Sequence, residues 1–143
     1  MAIDPEALNQ VLQLGQSCED LARTALGVAQ AQLRAKLITQ AEFDQAFQDY
    51  GTSMQRARDM YYQASHGLAQ QILHAADVKT LTDQTVALNR TLASLQKADH
   101  VLKISFAAVT LVAAIATAVV APGVGTLEGA YAAGAALKTL VAG

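Results

Sequence analysis

Apolar residues return along the early part of this chain at alternating steps of four and three. From Ala7 through Val11, Leu14, Cys18, Leu21, Ala25 and Val28 the rhythm is unbroken. That spacing lays one narrow seam along a helix, as in helices that pack lengthwise on one another. Asp4 followed by Pro5 supplies an N-cap and a first helical residue, so a first helix is predicted over 5–38. Thr39 and Glu42 have capping-box spacing and start a second helix over 40–76. Its seam is Phe43, Phe47, Tyr50, Met54, Ala57, Tyr61, Ala64 and Leu68.

A third seam follows Asp77, which reads as a cap. It runs Leu81, Thr85, Leu88, Leu92, Leu95, Asp99, Leu102, Phe106, Val109, Ala113, Ala116 and Val120. No step is skipped, so 78–121 is predicted as one helix roughly 65 Å long. The stretch Ala121–Gly125, with one proline and two glycines, ends it, and Thr126 reads as the cap of a last helix. No period-two alternation competes. The expected fold is all-α: an antiparallel bundle of long, coiled-coil-like helices ending in an apolar C-terminal helical hairpin. Residues 1–103 form the soluble helical stalk (helices 5–38, 40–76 and 78–103), and 104–143 form a membrane-seeking hairpin continuous with the third helix. Short connections predict antiparallel neighbours. Phe43 and Phe47 then fall where they would shelter the apolar segment in water.

Charge sharpens the division. The chain carries 10 Lys and Arg and 12 Asp and Glu, yet beyond residue 103 only Glu128 and Lys138 are charged. Between Ile104 and Ala121 the polar side chains are Ser105, Thr110 and Thr117. A hydroxyl can bond the carbonyl one turn back, so all three tolerate an apolar medium. A bundle helix ordinarily keeps one polar face in water, and this segment has none. Its length, about 27 Å, approaches the hydrocarbon thickness of a bilayer. Lys103 stands where its ammonium would reach the interface. The expected membrane-inserting residues are Ile104, Phe106, Val109, Leu111, Val112, Ile115, Val119 and Val120, with Leu127, Tyr131 and Leu137 on the last helix. Pro122, Gly123 and Gly125 form the expected hairpin turn. Gly125 with Gly129, and Ala130 with Gly134, are spaced for close helix approach. The competing reading is a core helix of a soluble four-helix bundle.

Long heptad-patterned helices and one charge-poor hairpin broken at Ala121–Gly125 resemble the α-helical pore-forming toxins. The resemblance is architectural and covers the whole chain. It implies soluble subunits that hide the hairpin against the bundle, then expose it and oligomerise on a membrane. The expected partners are therefore a lipid bilayer and further copies or other subunits, in a homo- or hetero-oligomer. Two alternatives remain open: a coiled-coil adaptor or assembly subunit whose apolar C-terminus is buried by partner chains, and a small integral membrane protein with a cytosolic helical domain.

Candidate chemistry changes this little. Net charge is −2 with acids and bases interspersed, which gives no basic stripe for nucleic acid. The N-terminal residues lack a basic-then-apolar signal pattern, so synthesis in the cytoplasm, action at a membrane and a non-classical export route are expected. The single cysteine, Cys18, lies on an apolar seam and reads as a buried thiol. His66, His74 and His100 do not converge at metal-ligand spacing. The glycines at Gly123–Gly125 follow a helix and not a strand, against a dinucleotide site. Asp44, Asp49 and Asp59 read as solvated surface carboxylates. No enzyme, cofactor or metal is expected. Asp99, the one charge in a seam, is a candidate protonation switch, since a buried carboxylate favours its neutral form.

Overall fold

The computed structural model describes residues 5–66, 74–94 and 101–142, and among these it contains five helices and no strand. They are α1 Pro5–Arg34, α2 Gln40–Ser65, α3 Ala75–Ala93, α4 Val101–Val120 and α5 Val124–Ala142. One buried cluster draws side chains from all five.

The first seam is correct in register. Ala7, Val11, Leu14, Cys18, Leu21 and Ala25 are buried, and Val28 packs half-buried against them. Gly15 faces α2, with the Ala57 carbonyl 3.5 Å and the Met60 Cε 3.6 Å from where a Cβ would stand. The helix stops at Arg34, short of the expected Ile38. Lys36 takes a left-handed φ of 62°, and its N–H donates to Leu33 O while that of Leu37 donates to Gln32 O. That pair of bonds is a Schellman motif, which closes a helix wherever it forms.

Thr39 caps α2 as its sequence predicts. Its hydroxyl accepts from the Glu42 N–H at 3.1 Å, and the Glu42 carboxylate accepts from the Thr39 N–H at 2.9 Å. Of its predicted seam, Met54, Ala57 and Ala64 are buried, but the aromatic positions are displaced. The buried residues of α2 are Ala46, Ser53, Met54, Ala57, Met60 and Ala64. Phe43, Tyr50 and Tyr61 are half-buried and Phe47 is 55% exposed. The reason is that α2 has two neighbours, α1 and α4. Small residues occupy the sector between them, because helices approach only as closely as their contact side chains permit. Phe43, Phe47 and Tyr50 form a ladder along the flank, with ring centroids 6.4 and 6.0 Å apart. The helix ends at Ser65 rather than near Ala76; Gly67 and Leu68 lie outside the described residues.

The single helix over 78–121 does not form. Asp77 is no cap: it lies in the first turn of α3, where its charge suits the helix N-terminus. On α3, Val78, Leu81, Thr85, Leu88 and Leu92 are buried. On α4 the buried seam is Val101, Ile104, Ala108, Leu111, Ile115 and Val119. Continuing the α3 seam by fours and threes leads instead to Leu102, Phe106, Val109 and Ala113, so the two seams are out of step. Distance gives the same answer. A straight rod would hold Asp77 some 65 Å from the final turn, yet α3 packs against α5. Likewise the Gln84 amide lies over Gly134, where an added Cβ would overlap it.

Residue pairings give the directions. Gly15 meets Ala57 and Met60, whereas Ala22 and Ala25 lie with Ala46 and Tyr50, so α2 runs back along α1. Ser105 meets Asp49, whereas Ala116 and Val120 lie with Met60 and Gln63, so α4 runs in the same sense as α2. This differs from the antiparallel neighbours expected for the second and third helices, and follows from the chain folding back between α3 and α4.

Candidate membrane-inserting hairpin

The apolar helix α4 is 20 residues long, about 30 Å at the helical rise, which matches a bilayer's hydrocarbon core. Among the described residues it is the one helix long and apolar enough to cross a membrane. It packs against α1, α2 and α5. Even so, only 44% of its apolar window is buried, so more than half of those positions meet solvent at least in part.

The expected inserting residues divide between two faces. Ile104, Leu111, Val112, Ile115 and Val119 point inward and are buried. Phe106 points outward and is 66% exposed, and Val109 and Val120 are half-buried beside it. The exposed hydroxyls on this helix are spent internally: Thr110 donates to Phe106 O at 2.8 Å and Thr117 to Ala113 O at 3.0 Å. The outward strip therefore carries no charge between Lys103 and the turn. Phe43 packs half-buried against the core, whereas Phe47 is largely exposed. The α2 residues that border α4 include Ala46, Asp49, Tyr50, Ser53, Arg56, Asp59, Met60 and Gln63.

One polar tie holds α4 in place. The Ser105 hydroxyl donates to Asp49 Oδ2 at 3.0 Å, and Gln45 Nε2 donates to Asp49 Oδ1 at 3.2 Å. Asp49 is thus half-buried against the apolar helix rather than solvated. Sequence reasoning missed this pair; the available signal was a serine at a position that the α4 seam buries. Farther along, α2 and α4 leave a groove of about 180 Å³ between them, lined by Arg56, Asp59, Met60, Gln63, Ala113, Ala116, Thr117 and Val120.

The turn is shorter than predicted. Ala121, Pro122 and Gly123 separate the helices, and Gly125 is already inside α5. Thr126 does not act as an N-cap acceptor. Its hydroxyl donates to Ala121 O at 3.1 Å and Gly123 O at 3.0 Å, closing the turn from within. On α5, Ala130, Gly134, Leu137 and Val141 face inward, with Leu127 and Tyr131 half-buried. Gly125, Glu128, Gly129, Ala132, Ala136 and Lys138 face out.

The remaining candidates are dispersed. Cys18 is fully buried in α1, and burial, with Glu19 adding to it, pushes its thiol up to about 12. His66 stacks on Tyr62 with centroids 4.0 Å apart, and His74 precedes α3. Asp44 accepts a hydrogen bond from Gln40 on the surface of α2. Asp99 and His100 lie outside the described residues. Buried amide oxygens of Gln10, Gln84 and Asn89 have no hydrogen-bond partner within the described residues. No protein-family model, curated protein or solved structure matches this chain.

Proposed function

We propose that this protein is a non-catalytic, membrane-inserting helical protein of the pore-forming or membrane-perturbing type, with α4 and α5 as the inserting hairpin. The observation that carries this reading is the outward face of α4. A helix held in a soluble bundle presents polar residues to water, whereas this one presents Leu102, Phe106, Val109, Ala113 and Val120 at the surface or partly so. In the bundle, α1, α2 and α5 cover the opposite face. Moving the hairpin into lipid would bury both faces, and two paired helices keep their backbone hydrogen bonds within themselves, as a bilayer demands.

The test is dye release from phosphatidylcholine–phosphatidylglycerol vesicles by the full chain and by Thr110→Asp. Thr110 is exposed at the middle of α4, so the substitution leaves the bundle folded by circular dichroism. A carboxylate at mid-bilayer costs about 2.5–3.5 kcal/mol, so release by the variant should fall by a factor on the order of one hundred. Release equal in both proteins, or none from the unaltered chain, contradicts the reading.

A second reading is favoured by the spacing of the outward strip. Leu102, Phe106, Val109 and Ala113 keep the four-three rhythm that suits a helical protein partner. An assembly subunit of that kind would associate in buffer and leave vesicles intact.

A further inference from the structure

We propose that two copies of this chain pair through the outward face of α4, with the Phe106 ring of each copy seated in the α2–α4 groove of the other. The ring projects from the strip, 66% exposed, and the groove opens farther along that strip beside Ala113 and Thr117. Residues 106, 113 and 117 follow one helix face. From Phe106 to the middle of the groove is about ten residues, or roughly 15 Å of helix. A projection and a recess offset along one helix become mutually complementary when a second copy is turned antiparallel about a two-fold axis. The axis then passes close to Thr110, about midway between them.

Size agrees. The groove holds about 180 Å³, and an apolar cavity of about 150 Å³ is enough to take a benzene ring. The ring would rest on the α4 wall, Ala113, Ala116 and Val120, where the Thr117 hydroxyl is already bonded to Ala113 O, while Arg56 and Asp59 on the polar α2 wall are exposed at the rim. Charge agrees as well. Lys103 stands just before Phe106, and Asp59 lines the groove. Neither has an ion-pair partner within its own chain among the described residues. Antiparallel pairing carries each Lys103 toward the other copy's Asp59, twice per dimer. Arg56, on the same groove, pairs with nothing in this arrangement. This self-complementarity favours a second copy over an unrelated protein, and it does not depend on membrane insertion.

Sedimentation velocity in lipid-free buffer, over a range of protein concentrations, tests the pairing. The unaltered chain should sediment as a dimer that dissociates on dilution. Ala113→Trp, which fills the groove, should shift it to monomer. Lys103→Asp and Asp59→Lys each place like charges together twice, and each should weaken association about fivefold or more. Mixing those two variants creates opposite charges at both contacts, so the mixture should recover the affinity that each loses alone. Both are surface changes, which keeps the test independent of the folding of Ala113→Trp. A chain that is monomeric at every concentration overturns the proposal. So does a dimer indifferent to all three substitutions, or a mixture that recovers nothing.

Discussion

Among the described residues, Lys36 is the non-glycine residue with a left-handed backbone. Its φ of 62° lies in the left-handed region, where a Cβ crowds the following carbonyl and glycine does not. Lys36→Gly should stabilise the protein by about 0.5–1 kcal/mol, read as a rise of roughly 2–4 °C in the melting temperature. Cys18 makes a prediction about pH. Its thiol is fully buried and pushed up to about 12 from its ordinary value of 9.0. Between those values the unfolded chain releases the proton and the folded chain keeps it, so stability is full below pH 9 and lost as pH rises toward 12. The slope contributed is about 1.4 kcal/mol per pH unit. Chemical denaturation of Cys18→Ala over this range should show a shallower decline than the unaltered chain, whatever the absolute cost of the cavity.

At the scale of elements, helix α1 was legible almost entirely. Its seam packs as a single face against its neighbours, so the apolar spacing and the burial coincide. Helix α2 was legible in its capping box and in the part of its face that carries Met54, Ala57 and Ala64, but not in its aromatic positions. Its small residues, Ala46, Ser53, Ala57 and Ala64, are buried because two helices flank them, and apolar size alone favoured Phe43 and Phe47. The break before α4 was missed because Leu95, Asp99 and Leu102 continue the α3 rhythm by residue type, although the inward face of α4 begins one residue earlier, at Val101. Two substitutions probe the elements directly. Gly27 sits inside α1 with nothing within 4 Å of a Cβ position, so Gly27→Ala should stabilise by about 0.5–1 kcal/mol in denaturant titration. Ser105→Ala removes the donor that ties α4 to Asp49 and should cost about 1–2 kcal/mol.

At the scale of the molecule, five helices enclose one core, and the apolar C-terminal helices share in it rather than extending from it. The composition of the last forty residues already pointed to α4 as the part of the chain least suited to water. Which half of α4 would be hidden was not legible, because that depends on the fold-back of α3 and on the packing of α5 against both α3 and α4. The Ser105–Asp49 bond joins residues 56 positions apart, and no local pattern announces such a pair. On the membrane reading this bond is what the hairpin must give up on leaving the bundle. Ser105→Ala should therefore release dye from vesicles faster than the unaltered chain even as it lowers stability in buffer.

The most direct measurement places a fluorophore on the outward strip and asks what surrounds it. In a Cys18→Ala background, Thr110→Cys labelled with bimane is mixed with vesicles whose lipids carry a quencher at the bilayer centre, and Gln30→Cys on the exposed side of α1 serves as the reference. Insertion of α4 predicts strong quenching at position 110 by the lipid-borne group, loss of quenching there by aqueous iodide, and neither change at position 30. A label at position 110 that iodide still reaches in the presence of vesicles, and that the bilayer quencher leaves bright, contradicts the account.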